Sequence, residues 1–144
     1  MDDAGAIAAV DPGRSKCGLV CTDSSRRMLI VARIVSPEEC LATSARWHAT
    51  GTLTTVVLGN GTSNRQWQQR LQQLGLDLQP IDEWGSTLAA RQRYWELWPA
   101  RGWRRLLPQG LRQPPRDLDD LAAQILLERW LGVSLARGPQ TLGA

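Results

Sequence analysis

Acidic residues stand at three places where predicted elements begin or end. One acid closes the first apolar run, a pair follows a short run near the middle, and a cluster opens the last predicted helix: Asp11, Asp82-Glu83 and Asp117-Leu118-Asp119-Asp120. Side chains at the carboxyl ends of parallel strands gather at one edge of a sheet. Converging carboxylates are hard oxygen ligands, which Mg²⁺ and Mn²⁺ prefer. The sequence therefore predicts a site for Mg²⁺ or Mn²⁺ formed by Asp11, one acid of the pair Asp82-Glu83 and the cluster that opens the last helix.

The last predicted helix, residues 118–131, separates two of these acids. At about 100° per residue, Asp120 falls with Gln124 and Glu128 on one polar face. Asp119 falls among apolar side chains, so we expect it to point toward the sheet while Asp120 faces solvent. An acid aimed at a sheet is costly unless it is paired or binds a metal. This favours Asp119 as a ligand, with Asp120 as a candidate fourth ligand.

A basic and aromatic stretch lies between residues 91 and 116. It carries seven arginines against the single acid Glu96, together with Tyr94 and three tryptophans. Arginine binds phosphate through a planar fork, and flat rings stack on unpaired bases. For the tryptophans alone, a place in the core is the better interpretation. The arginines favour nucleic acid, and the candidate contacts in this stretch are Arg91, Arg93, Arg104 and Arg105.

Length and composition are typical of a single globular domain. The chain has 144 residues, of which 42% are hydrophobic and 22% charged, and its net charge is +3. No apolar run is long enough to cross a bilayer, and the amino terminus is acidic before its short apolar run. We therefore expect a cytoplasmic protein with no membrane partner, a monomer or a homodimer.

The other functional side chains give weaker signals. Cys17, Cys21 and Cys40 form no CxxC pair, and His48 is the only histidine, so a zinc site is not expected and free buried thiols are. A Ser-His-Asp triad would have to use His48, which stands mid-helix. The loop 59–62 precedes a helix and offers Asn60 to a phosphate, but it lacks the P-loop pattern.

Hydrophobic runs and turn residues predict three strands, a helix and then alternating strands and helices. Ser36 is suited to cap the first helix, with Pro37 in its first turn and Glu39 at the capping-box position. The predicted strands cover 5–11, 17–22, 28–35, 53–58 and 76–82, and the predicted helices 37–50, the stretch ending near 75, 86–98 and 118–131, with a long loop over 99–116. The expected fold is α/β, a mixed five-stranded sheet with an antiparallel meander followed by parallel strands, flanked by helices. We expect one domain over residues 1–136 and a flexible tail over 137–144.

Three motifs resemble those of one known family, in the family's order and over about residues 5–132. Asp11-Pro12-Gly13-Arg14-Ser15-Lys16-Cys17-Gly18 resembles the opening motif of the RuvC/YqgF-like Holliday junction resolvases of the RNase H-like superfamily. Asp82-Glu83, followed by Ser86-Thr87 and Ala90-Arg91, is similar to the acidic stretch of the YqgF branch. Asp119-Asp120-Leu121-Ala122-Ala123 resembles the carboxy-terminal helix of that family.

The resemblance implies an RNase H-like fold and a divalent-metal nuclease in which Asp11, Glu83 and Asp119 match the acidic positions. Arg14 and Lys16 fall in the first motif, where Lys16 matches a basic position suited to phosphate. YqgF-like proteins are associated with maturation of the 16S ribosomal RNA precursor, and thus with ribosome biogenesis, whereas RuvC-like proteins resolve four-way DNA junctions.

Two departures bear on the choice between the branches. Gly59-Asn60 stands where the resolvases proper carry an acid, and Arg116 stands one turn before the last acid, where they carry another. Both favour the YqgF branch and RNA over DNA. The alternatives are a junction resolvase, a catalytically inactive nucleic-acid-binding module of the same fold, and a nucleotide-binding phosphotransferase relative suggested by the Asp-Pro-Gly turn.

Overall fold

The computed structural model describes residues 5–61 and 64–141. This part of the chain contains six strands and four α-helices. In chain order they are β1 (Ala6–Asp11), β2 (Cys17–Thr22), β3 (Met28–Val35), α1 (Pro37–Ala49), β4 (Leu53–Gly59), α2 (Arg65–Gln73), β5 (Asp77–Ile81), α3 (Ser86–Leu97), α4 (Asp119–Leu131) and β6 (Ala136–Arg137). None of the described helices is long and apolar enough to span a bilayer.

All six strands belong to one sheet with the order β5-β4-β1-β2-β3-β6. β1, β2 and β3 form an antiparallel meander in which Asp11 lies opposite Gly18. β4 pairs with β1 in parallel, and β5 pairs with β4 in parallel. The fold class predicted from the sequence, a mixed sheet with a meander followed by parallel strands, is confirmed.

The predicted start of α1 is confirmed in atomic detail. The Ser36 side chain accepts a hydrogen bond of 3.1 Å from the backbone N–H of Glu39, and Pro37 is the first helical residue. One otherwise unsatisfied N–H of the first turn is therefore paired, and proline costs nothing there because its missing N–H has no helical partner. This cap fixes where the chain leaves β3 and crosses the sheet.

Helices cover both faces of the sheet because strand residues alternate in direction. Ala8 and Val10 of β1 join one core cluster, to which α1 and α2 contribute Cys40, Trp67 and Leu71. On the opposite face, Ile7 and Ala9 of β1 pack in a second cluster with Ala123 and Leu127 of α4. α3 packs on α4 through a third cluster that contains Ala90, Tyr94, Trp95 and Leu121.

The carboxy-terminal segment departs from the sequence prediction. β6 pairs in parallel with β3, and the Gly138 N–H donates to the Leu29 carbonyl at 2.8 Å. A 3-10 turn follows over Pro139–Thr141, and both Arg137 and Thr141 are buried. The predicted flexible tail is therefore wrong for residues 137–141, and the sheet has six strands rather than five. Residues 142–144 lie outside the described part of the chain.

The predicted long loop before α4 is held by its own backbone. Two 3-10 helices, Gly102–Leu106 and Gln109–Leu111, occupy most of it. The Arg112 guanidinium donates to the carbonyls of Arg104, Arg105 and Leu107 at 3.1 to 3.2 Å. The Arg112 side chain thus holds two parts of this loop together. We call residues 97–116, which run from the last residue of α3 to Arg116, the arginine segment.

Gly18 gives a direct test of how closely α4 lies on the sheet. A Cβ added at residue 18 would overlap the backbone carbonyl of Asp119, which cannot move without displacing the start of α4. We expect Gly18→Ala to lower the free energy of unfolding by about 1–3 kcal/mol, the cost of overpacking a core. Urea titration followed by circular dichroism measures this change.

Gly110→Ala is the matched control, because a Cβ at residue 110 would have no atom within 4 Å. Its unfolding midpoint should equal that of the unchanged protein. Equal midpoints for both variants would show that α4 does not depend on close contact with β2.

Candidate active site

Asp11 and Asp119 approach each other because α4 begins directly above the end of β1. Asp11 is the last residue of β1 and its register partner on β2 is Gly18. The backbone of Asp119 rests on Gly18, in space that any side chain would fill. The glycine therefore brings the first turn of α4 to the carboxyl end of β1.

Both acids line one cavity of about 220 Å³. The cavity walls come from the β1 end, the loop after it, the first half of α3 and the start of α4: Asp11, Lys16, Thr87, Ala90, Asp117, Leu118, Asp119 and Ala122. Lys16 is exposed at this cavity and forms an ion pair with Asp117. Two acids far apart in the sequence thus share one solvent-accessible space.

Glu83 reaches the same region from the end of β5. Its carboxylate lies over Gly59 and Gly61, where a Cβ at either position would overlap one of its oxygens. Asp82, beside it, is exposed and its Oδ1 accepts a 3.0 Å hydrogen bond from the Trp84 N–H. Of the adjacent pair, Glu83 is therefore the acid that lies against the sheet, although it does not line the 220 Å³ cavity.

The three acids influence each other electrostatically. Burial raises the pKa of Asp11 to about 7, and the negative charges of Asp119 and Glu83 add to this rise. Burial also raises the pKa of Asp119, against the attraction of the Lys16 ammonium. Asp11 is therefore a weaker acid than an exposed aspartate, because it is largely buried and lies near other carboxylates.

These donors fit a hard divalent cation in their chemistry. All three are carboxylates, the ligand type that Mg²⁺ and Mn²⁺ prefer, and a cation would relieve the repulsion that raises the pKa of Asp11. Within residues 5–61 and 64–141, however, no three acidic, histidine or cysteine side chains stand close enough to hold one ion together. Two of the three, Asp11 and Asp119, line one cavity and would hold the ion there, while Glu83 lies outside this cavity near the end of β5.

Asp120 lies in a buried ionic network and does not face solvent, so this part of the sequence prediction is wrong. Its side chain pairs with Arg116 at 2.9 Å and with Arg137 at 3.1 Å. Burial alone would raise the pKa of Asp120, but the two guanidiniums lower it. Both carboxylate oxygens of Asp120 accept from arginine, so this side chain belongs to the buried ionic network rather than to the acidic cavity as a fourth metal ligand.

The rest of that helix face is buried for the same reason. Glu128 accepts two 2.8 Å hydrogen bonds from Arg93 and one from the Leu135 N–H. Gln124 bridges the network, donating to Glu128 and accepting from Arg137. The carboxy-terminal segment and α3 cover the polar face of α4, which the helical wheel predicted to be exposed to solvent. In the sequence, the only indication of this buried network was the set of polar residues four positions apart on α4, together with arginines that had no assigned partner.

The predicted nucleic-acid contacts divide into exposed and structural residues. Arg14, Lys16, Asn60 and Arg105 are exposed and Arg104 is half-buried. Arg93 is committed to Glu128, and Arg91 donates to the Arg112 carbonyl at 3.3 Å. Arg93 is therefore a structural residue, and its assignment to nucleic acid was wrong because its buried partner on α4 was not foreseen.

The cysteines are free and buried, as predicted. The Cys17 and Cys40 thiols form a hydrogen bond, which lowers the pKa of Cys17. Burial raises the pKa of the Cys21 thiol to about 12. These thiols therefore belong to the core rather than to the acidic site.

Comparison with known proteins gives distant structural likeness and no family assignment. No family model matches the chain. No curated protein sequence matches it either. Among solved structures, the chain is similar to the RuvC protein of Thermus thermophilus in complex with a Holliday junction substrate, at 15% identity, 91% coverage of this chain, 98% of that chain and a TM-score of 0.44. It is also similar to Thermus thermophilus RuvC in a second structure, at 14% identity, 88% and 96% coverage and a TM-score of 0.43.

The raised pKa of Asp11 predicts how stability depends on pH. In the unfolded chain this carboxyl ionises near pH 3.9, whereas in the folded protein it ionises near 7. Between these two pH values the folded protein binds more protons than the unfolded chain does. The free energy of unfolding therefore falls as the pH rises from about 4 to about 7. Asp11→Asn should remove this loss, which is on the order of a few kcal/mol.

The measurement is urea unfolding of both proteins in EDTA at pH 4.5, 6 and 8. The stability difference between the variant and the unchanged protein should grow with pH in favour of Asp11→Asn. Asp77→Asn, at the exposed start of β5, is the control and should show no such trend. A constant difference across the three pH values would contradict the buried position of Asp11.

The buried network predicts a large cost for removing one partner. Asp120→Asn leaves the Arg137 guanidinium buried without its counter-ion, and we expect a loss of about 3–5 kcal/mol of unfolding free energy. The pKa of Asp120 is lower in the folded protein than in the unfolded chain. The stability that this group contributes is therefore fully present at a pH above its unfolded-state pKa, and it is lost as the pH falls through its folded-state pKa.

Glu39→Gln is the matched control, because the ion pair that Glu39 forms with Arg33, at 3.3 Å, is exposed to solvent. Such a surface pair contributes about 0–1 kcal/mol. Similar losses for the two variants would mean that the network around Asp120 is solvated.

Proposed function

We propose that this chain is a divalent-metal-dependent endonuclease that hydrolyses phosphodiester bonds where β1 and β5 end. One observation carries the proposal: Asp11 and Asp119 line the same cavity, with Glu83 at the neighbouring strand end. Carboxylates that share a partly buried cavity are typically paired with a cationic side chain or bound to a metal ion. The proposed ion is Mg²⁺ or Mn²⁺, and when bound it would lower the pKa of a water nucleophile and stabilise the leaving oxygen.

The protein residues around the ion have distinct proposed roles. Asp11 and Asp119 would be its ligands, and Glu83 would complete the negative site from the end of β5. Lys16 lines the same cavity and is exposed, so it can exchange Asp117 for a substrate phosphate. Thr87 forms the opposite wall from α3 and would limit how the scissile phosphate enters.

The proposed substrate is RNA of the kind processed in maturing the 16S precursor, rather than a DNA four-way junction. Support comes from the two positions where the motif departs from the resolvases. At the end of β4, the Glu83 carboxylate lies beside Gly59, and residues 59 and 60 supply no acid of their own. Arg116 is bound to Asp120 and cannot act as a catalytic acid.

Cleavage assays with matched variants test the proposal. Labelled single-stranded RNA, hairpin RNA, duplex DNA and a four-way DNA junction are incubated with the protein in Mg²⁺, Mn²⁺ or EDTA. We expect cleavage of the RNA substrates in either metal and none in EDTA. Asp11→Asn and Asp119→Asn should each lower the rate at least about 100-fold, because each removes a direct ligand.

Asp77→Asn is the control, since it makes the same chemical change at the opposite end of β5. It should cleave at the rate of the unchanged protein. A second readout does not depend on activity: Mn²⁺ should raise the melting temperature at pH 8, and Asp11→Asn should abolish that rise while remaining folded. Undiminished cleavage by Asp11→Asn, or binding of nucleic acid without cleavage in any metal, would refute the nuclease assignment.

A further inference from the structure

The arginine segment, residues 97–116, has a charge pattern that the proposed catalytic site does not use. It contains five arginines and no acidic residue. Arg112 and Arg116 have structural partners, but Arg101, Arg104 and Arg105 form no ion pair within the described residues, and Arg101 and Arg105 are exposed. Uncompensated positive charge on one short segment attracts a polyanion.

Two flat aromatic surfaces lie within the same segment. Trp103 is 65% exposed, and the Arg104 guanidinium lies over its ring with 5.4 Å between the guanidinium carbon and the ring centroid. An exposed indole held beside a cation is costly to leave in water but well suited to stack on a nucleobase. The chain has not buried this ring, although its neighbours Tyr94 and Trp95 are buried.

A cleft opens where the segment meets the end of α3. Its volume is about 400 Å³, and its walls include Tyr94, Trp98, Arg101 and Arg104. This volume is within the range of sites that take a small planar ligand. Trp98 is itself held by the guanidiniums of Arg116 and Arg137, 5.1 Å and 5.8 Å from the ring centroid. The cleft wall is therefore in contact with the buried network of Arg116, Arg137 and Asp120.

The cleft and the cavity that holds the acids lie on either side of one groove. It shares Pro115 with a groove of about 590 Å³, and that groove shares Thr87, Asp117 and Leu118 with the cavity of Asp11 and Asp119. A single strand could therefore run from the aromatic cleft along residues 113–118 to the acids. A double helix, which keeps its bases stacked inside, could not use the cleft or the ring of Trp103.

We propose that the arginine segment is a binding site for an unpaired nucleic-acid strand, with one base stacked on Trp103 and the phosphates held by Arg101 and Arg105. The inference deepens the proposed function and rests on it for what happens to the strand once bound. It identifies the substrate class as nucleic acid with a single-stranded stretch beside the cut.

A protein partner is the competing occupant, because Leu106 and Leu111 are also exposed here. The absence of any acid between residues 97 and 116 favours nucleic acid, since protein interfaces seldom carry such unbalanced charge, whereas a phosphate backbone requires it. Leu106 belongs to the same 3-10 helix as Trp103 and has no ring, so it separates the two possibilities.

Binding is measured in EDTA by fluorescence anisotropy with labelled twelve-nucleotide oligo-U, oligo-dT and a blunt duplex of mixed sequence. We expect both single strands to bind more tightly than the duplex. Trp103→Ala should weaken single-strand binding by about 5-fold or more, the loss expected for one stacked base. Arg101→Gln should reduce the slope of log affinity against log salt by about 0.7.

Leu106→Ala is the matched control and should change single-strand affinity less than 2-fold. Tighter binding of oligo-U would assign the site to RNA and tighter binding of oligo-dT to DNA, and either supports the proposal. Equal affinity for duplex and single strands, an unchanged affinity in Trp103→Ala, or an equal loss in Leu106→Ala would overturn it. Because EDTA prevents cutting, single-strand binding without cleavage in metal refutes only the nuclease, and cleavage without single-strand binding refutes only this site.

Discussion

The close contact between the start of α4 and β2 is the constraint on which the rest of the structure depends. It is possible only because residue 18 has no side chain, so that the Asp119 carbonyl can rest on the strand. The contact sets the height of α4 above the sheet, and with it the cluster of Ala123 and Leu127 against β1. It also places an acid of the helix beside the acid that ends β1. Packing and chemistry therefore follow from the same missing Cβ.

A helix that lies so centrally cannot keep a face for solvent. The sheet covers one side of α4, α3 covers another, and the carboxy-terminal segment closes the third, so residues 120–128 are all buried. Its polar residues must then be satisfied internally. Arg93 of α3, Arg116 of the segment before α4 and Arg137 of β6 supply the partners. Arg137 of the two-residue strand β6 thus joins the carboxy-terminal segment to α4 through Asp120 and Gln124.

Local signals in the sequence were enough for most elements, and non-local burial explains what they missed. Ser36-Pro37 and the alternating runs predicted the start of α1 and the meander, because caps and periodicity act within a few residues. The strand-end rule for Asp11 and the helical wheel for Asp119 predicted that the two acids converge, and both line one cavity. β6 is too short to carry a pattern, and the buried face of α4 depends on which segments cover it. The role of Arg93 was missed for the same reason, since its partner lies on another helix.

The two acids in the first turn of α4 have different surroundings: Asp120 lies in the buried ionic network and Asp119 lines the acidic cavity. Asp120 pairs with two guanidiniums, which favour its ionised form and engage both of its carboxylate oxygens. Asp119, one residue earlier, points about 100° away and meets Asp11 and the distant charge of Lys16 instead. The arginines that fix Asp120 thus also fix the direction of Asp119, and through Trp98 they support the wall of the aromatic cleft. A single buried network therefore positions both the acid that would hold a cation and the surface that would hold the strand.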